Sequence, residues 1–140
     1  MRLQAKVVLI GNSGVGKTSI ALRYLEGRFS LNPPATVGAS YAERHFSYND
    51  GTKLKLHIWD TCGSEKFKSV APLYYKQAHA ALVCYSIIDE NSFRCLDEWL
   101  KQLDEHGNVN KMIKIIIGNK NDVEKDERIV EIWQGRAFTE

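Results

Sequence analysis

The chain has 140 residues with 19 basic and 17 acidic side chains, a formal charge of +2 that gives no reason to expect nucleic acid or an anionic membrane as an obligatory partner. An apolar share of 44% and a charged share of 26% describe one globular domain of ordinary size and exclude a disordered chain. No apolar run reaches the ~18–20 residues of a membrane span, residues 1–6 lack a signal peptide's apolar core, and Cys62, Cys84 and Cys95 lack CxxC spacing, so the expectation is a cytoplasmic chain without disulfides or zinc.

Residues 7–10, Val-Val-Leu-Ile, are a continuous apolar run, the pattern of a strand with helices on both faces of its sheet. After a glycine loop, helical spacing predicts a helix over Lys17–Glu26, with Ile20, Leu22, Tyr24 and Leu25 on or near its buried side. Residues 27–40 hold Gly27, Pro33, Pro34 and Gly38 without periodicity and predict a long loop of the kind that often carries function. Residues 41–48 and 53–59 read as a hairpin around Asn49-Asp50-Gly51. In its second strand Leu54, Leu56 and Ile58 alternate with Lys53, Lys55 and His57, which leaves one face wet. A second glycine-bearing loop, residues 60–64, leads into a short helix limited by Pro72. Residues 80–85 form another buried strand, and Asn91 or Ser92 caps a helix that runs through His106 and stops at Gly107. Residues 113–117 are a third apolar strand, and residues 129–140 a last helix with no strand after it. The order predicts a single α/β domain over residues 1–140: a mostly parallel sheet with one antiparallel edge hairpin and helices on both faces.

Three motifs carry chemistry. Gly11-Asn12-Ser13-Gly14-Val15-Gly16-Lys17-Thr18 fits the phosphate-loop pattern GxxxxGK[ST], with an apolar strand before it and a helix after it. Glycines let backbone N–H groups fold around phosphates, Lys17 brings a point charge to the outer phosphates, and the Thr18 hydroxyl can ligate Mg²⁺. The candidate phosphate set is Ser13, Gly14, Val15, Gly16, Lys17, Thr18 and Ser19. Asp60-Thr61-Cys62-Gly63 follows a strand; Asp60 can hold Mg²⁺ through water, and the Gly63 N–H can meet a terminal phosphate where a side chain would obstruct it. Alone, DxxG is common; downstream of a phosphate loop it gains weight. Asn119-Lys120-Asn121-Asp122 stands at the carboxyl end of a strand, where open α/β sheets bind ligands. The Asp122 carboxylate can accept the two adjacent N–H donors of guanine, which adenine lacks; Lys120 packs along the loop and Asn119 ties loops together. Standing alone, this tetrapeptide reads as a polar turn. His45, His57, His79 and His106 show no metal-ligand spacing.

Together and in this order, the motifs resemble the Ras superfamily of small GTPases, a P-loop NTPase fold. Residues 55–61 (Lys-Leu-His-Ile-Trp-Asp-Thr) and 74–83 (Tyr-Tyr-Lys-Gln-Ala-His-Ala-Ala-Leu-Val) are similar to its Rab branch, and to the endocytic Rabs within it. The resemblance runs from Lys6 to the last residue. It implies a GTP/GDP switch with Mg²⁺, regulating vesicle traffic and hydrolysing GTP slowly, with exchange factor, activating protein and effectors meeting both switch regions. It further implies that Phe29 packs against guanine, that Thr36 meets Mg²⁺ and the γ-phosphate, and that Tyr41, Trp59 and Tyr74 engage effectors. The alternative for these three is ordinary core aromatics.

Two departures matter. The family's DTAGQE appears as Asp60-Thr61-Cys62-Gly63-Ser64-Glu65, so Ser64 stands where a glutamine orients the attacking water, and Cys62 replaces alanine as a small packing residue. Lys17, Gly63 and Ser64 are the candidate catalytic residues. Pro33-Pro34 stiffens part of the first switch. The family's last strand, its SAK-type guanine loop, its final helix and its prenylated tail are not in these 140 residues. Membrane contact, at the cytosolic face of endomembranes, is therefore expected only through such a tail, and the shortened sheet is expected to expose apolar surface. Two rivals remain at this point: a non-hydrolysing scaffold, favoured by Ser64, and a P-loop nucleotide kinase, which residues 119–122 disfavour.

Overall fold

The computed structural model describes residues 1–64, 66, 69–107 and 111–139; Glu65 and Glu140, part of the readings above, lie outside them. In chain order the elements are β1 (Arg2–Gly11), α1 (Lys17–Glu26), β2 (Ala39–Ser47), β3 (Lys53–Thr61), α2 (Pro72–Tyr75), β4 (Ala80–Ser86), α3 (Glu90–Arg94), α4 (Leu96–His106), β5 (Ile113–Asn119) and α5 (Ile132–Thr139). The strands form one sheet in the order β2-β3-β1-β4-β5. β1 pairs in parallel with β3 and β4, and β4 with β5; only the β2–β3 hairpin is antiparallel. This is the α/β architecture expected from the order of elements.

The unbroken apolar run in β1 follows from the alternation of side chains across a sheet that is covered twice. Val8 and Ile10 enter a core with Val83, Tyr85, Leu96, Trp99 and Leu103, under α4. Leu9 faces the other way, into a smaller cluster with Ala21 and Ile58 under α1. Over residues 8–10 both faces of the strand are therefore dry, and no polar residue interrupts that run.

Several boundaries differ from the local reading. β1 starts at Arg2 rather than Val7, because residues 2–6 pair with 53–57 of β3 while staying exposed or half-exposed, so backbone pairing holds them without an apolar signal. The helix after β4 is capped by Asp89, whose carboxylate accepts from the Ser92 N–H at 3.2 Å, not by Asn91 or Ser92. Ser92 is fully buried; its hydroxyl accepts from the Ser86 N–H at 2.9 Å and donates to the Asp89 carbonyl at 2.7 Å. That helix is also divided at Cys95 into α3 and α4. The last helix begins at Ile132, since the N–H groups of Ile129 and Val130 both donate to the Ile87 carbonyl at 2.9 Å and hold that stretch extended. Lys17–Glu26 is helical as predicted, and Gly107 closes α4 with its N–H on the Leu103 carbonyl at 2.7 Å. At the β5 edge Ile113 and Ile115 are exposed, as are Ile132 and Trp133 of α5.

Candidate functional site

The loop between β1 and α1 opens the site. Gly16 caps α1 with φ +100°, a left-handed conformation that favours glycine, and a Cβ there would push on Asn119 Nδ2, 2.2 Å away. The helix's first N–H groups therefore have no side-chain acceptor at their cap and, with the helix dipole, favour an anion. Lys17 is only 5% exposed, yet among the described residues its ammonium pairs with no carboxylate: Nζ donates to the carbonyls of Gly11 at 2.9 Å and Asn12 at 2.7 Å. Burial pulls its pKa down, against the attraction of Asp60. Two of its three donors are used on the loop, which leaves one for a ligand oxygen.

Beside Lys17 three oxygen side chains meet, from the first turn of α1, the loop before β2 and the end of β3. Thr18 Oγ1 donates to Asp60 Oδ2 at 2.6 Å and lies 2.8 Å from Thr36 Oγ1. Asp60 is 4% exposed, and its second oxygen, Oδ1, has no hydrogen-bond partner. Burial raises its pKa, opposed by the Thr18 hydroxyl, by Lys17 and by Thr36. A buried carboxylate with an orphaned oxygen is costly unless a cation joins it. Two hydroxyls and one carboxylate are hard donors, few enough to leave positions for phosphate and water, which is how Mg²⁺ is usually held. The residues present fit that ion.

The loop after β3 is fastened from behind by the Thr61 hydroxyl, which donates to the Leu9 carbonyl at 2.6 Å. Gly63 lies against the phosphate loop so closely that a Cβ would sit 2.2 Å from the Gly11 carbonyl oxygen. Cys62 is buried, and its Sγ accepts from the Ser64 N–H at 3.4 Å; the Ser64 Oγ accepts from the Lys66 N–H at 3.4 Å. At the far end Asn119 Nδ2 donates to the Val15 carbonyl at 2.9 Å, joining the 119–122 loop to the phosphate loop. Lys120 takes a left-handed φ of 69°.

These loops enclose an open cleft of about 710 Å³, a size suited to a nucleotide. Ser13, Gly14, Gly16, Lys17, Thr18, Ser19, Phe29, Thr36, Gly63, Ser64, Lys120 and Asp122 all line it. Val15, Asn119 and Asp60 do not; Val15 and Asp60 are buried behind the wall, and Asn119 acts on it through Val15. Tyr41, Trp59 and Tyr74 lie outside the cleft in one row, with ring centroids 4.8 Å and 5.6 Å apart. Only Tyr41 is well exposed; Trp59 and Tyr74 are half-buried and pack on the main core.

Some contacts have no counterpart in the motifs. The Tyr41 hydroxyl meets Glu43 and His57, each at 2.5 Å, and His57 reaches Gln4 at 3.0 Å. The hydrogen bond from Tyr41 is the main reason the Glu43 carboxyl is held down to about 2, with Lys55 next. Asn12, a variable position of the phosphate loop, accepts from the Trp99 indole N–H at 2.7 Å. Local spacing contains no signal for either arrangement.

Residues 6–140 match the profile of the Ras family. The chain is similar to the Ras-related protein Rab-30 of Homo sapiens, with 42% identity over 135 residues, 96% of this chain and 65% of that protein. It is 42% identical over 120 residues to the Ras-related protein Rab-5B of Plasmodium falciparum, 86% of this chain and 58% of that protein. Similarity to the Ras-related protein RHN1 of Nicotiana plumbaginifolia is 38% over 138 residues, 99% of this chain and 68% of that protein. The chain thus spans 65% and 58% of the length of the first two of these curated relatives.

Proposed function

The chain belongs to the Ras family, and on that premise we propose that it is a Rab-type guanine-nucleotide switch serving membrane traffic, which binds GDP or GTP with Mg²⁺ and hydrolyses GTP slowly. The observation that carries this reading is the meeting of Thr18 from α1, Thr36 from the loop before β2 and Asp60 from the end of β3, beside the buried Lys17. In this reading the α1 N-terminus and the free donor of Lys17 hold the β- and γ-phosphates. Thr18, Thr36 and Asp60 hold Mg²⁺, which when bound offsets the charge that develops on the phosphates. Asp122 accepts the guanine N–H groups, Phe29 covers the ring, and Lys120 lies along the same wall. Asn119 keeps that wall in register with the phosphates through Val15.

Thr36 and Gly63 stand on two different loops that face the third phosphate's place. A γ-phosphate favours the arrangement in which both engage it, and its loss releases them, so the nucleotide shifts the populations of residues 27–40 and of the described residues within 60–76, to which 65, 67 and 68 do not belong. Effectors read that arrangement through the row Tyr41, Trp59 and Tyr74, while exchange factors and activating proteins act on the same two segments at the cytosolic face of endomembranes. Ser64 is too short to orient water as a glutamine does, so binding is retained while the unstimulated chemical step is slow.

The test is a titration with fluorescent GDP, competed by GTP and by ATP, with and without Mg²⁺. GDP and GTP compete with each other, ATP does not, and chelating Mg²⁺ speeds GDP release. Equal competition by ATP would overturn the guanine reading.

A further inference from the structure

Asn12 occupies a position where the phosphate-loop pattern accepts any residue, yet its surroundings hold it on three sides. Its side-chain oxygen accepts from Trp99 Nε1 at 2.7 Å, across 87 residues of sequence. Its carbonyl accepts from Lys17 Nζ at 2.7 Å. Its carbonyl carbon lies where a Cβ on Gly63 would come within 2.5 Å, so it also abuts the loop after β3. Trp99 is 7% exposed and packed among the core residues of α4, including Leu96 and Leu103. An indole can only donate, and a buried one needs an acceptor, so the bond sets the direction of the Asn12 side chain as well as its place.

We propose that Trp99 and Asn12 are positioning residues for nucleotide retention: the indole of α4 fixes Asn12, whose carbonyl in turn keeps the Lys17 ammonium aimed into the cleft. This rests on the guanine-nucleotide reading above. Neither side chain touches the ligand; each acts through Lys17. Breaking the bond leaves the loop and a buried donor or acceptor unpaired, and Lys17 loses a fixed support while keeping its charge. A contact of this kind is worth about three- to tenfold in an equilibrium or a release rate.

The experiment measures GDP release from the 140-residue chain and from five variants: Trp99→Phe, Asn12→Ala, their combination, Asn12→Asp, and Asn12→Asp with Trp99→Phe. Asn12→Asp keeps an acceptor for the indole. Trp99→Phe and Asn12→Ala each speed release about three- to tenfold, and together they are no faster than the faster of the two. Trp99→Phe also speeds release when added to Asn12→Asp, and has no effect when added to Asn12→Ala. If Trp99→Phe instead speeds release by the same factor whatever stands at position 12, Trp99 acts by packing alone and the proposal is overturned. Should the Trp99→Phe variants not fold, Asn12→Ala releasing GDP no faster than Asn12→Asp overturns it equally. GDP that binds the unaltered chain while this pattern is missing refutes the coupling only; no GDP binding at all refutes the nucleotide reading, and the coupling falls with it.

Discussion

Gly63→Ala tests whether the loop after β3 and the phosphate loop must touch for the switch to work. Gly63 does not need glycine for its backbone angles; it needs glycine for space. A Cβ built there lies 2.2 Å from the Gly11 carbonyl oxygen and 2.5 Å from the Asn12 carbon and the Ser13 nitrogen. All three are backbone atoms of a loop anchored by Lys17, Trp99 and Asn119, so no flexible side chain can swing aside. Restoring an ordinary carbon–oxygen contact of about 3.3 Å requires the two loops to part by about 1 Å. A misplacement of about 1 Å between groups that must act together costs roughly 10²-fold in rate. The expectation is that Gly63→Ala slows single-turnover GTP hydrolysis by roughly 10²-fold, because the Gly63 N–H and Ser64 move off the third phosphate. GDP, which lacks that phosphate, is held within a few-fold of the parent. Hydrolysis within a few-fold of the parent would refute the steric argument; loss of GDP binding in step with hydrolysis would show that the two loops act as one rigid wall.

Ser64→Gln, assayed in the same way at saturating Mg²⁺ without an activating protein, accelerates hydrolysis about 10- to 150-fold at similar GTP affinity, and no acceleration would remove Ser64 as the cause of slow turnover. Asp122→Asn weakens GDP by ~1–3 kcal/mol and turns preference toward xanthine nucleotides, since it replaces an acceptor by a donor opposite the base; unchanged GDP affinity would take Asp122 out of the site. Glu43, held down to about 2 from 4.5, contributes stability that is present above pH 4.5 and lost as the pH falls toward 2. Tyr41→Phe removes the largest cause, so the Glu43 carboxyl resonance titrates closer to 4.5; a midpoint that stays near 2 would assign the shift to Lys55 instead.

Much of the site was legible because its chemistry is written in contiguous residues. Gly16, Lys17 and Thr18 fall at a strand–helix junction whose two flanking periodicities are unmistakable, and the structure places them there. The 119–122 tetrapeptide is likewise local, and its position at the end of an apolar run puts it at the carboxyl edge of the sheet. The row of aromatics Tyr41, Trp59 and Tyr74 was less legible. Residue types at 41, 59 and 74 do not tell how far each ring is buried, and the sheet decides that by packing Trp59 and Tyr74 on the core and leaving Tyr41 outside.

What the sequence alone determined is the class of fold, the order of its elements and the identity of the chemical groups, since hydrophobic period and motif spacing are properties of neighbouring residues. Pairing at a distance belongs to the tertiary structure. The first residues of β1 become strand only because β3 lies beside them, and Asp89 becomes the cap only because Ser92 is drawn inward toward Ser86. Asp60 acquires a raised pKa and an unpartnered oxygen only because the fold buries it, with Thr18 and Thr36 opposing the rise. Asn12 finds Trp99 only because β1 and α4 pack on the same core, which brings together two side chains 87 residues apart that no local pattern could relate.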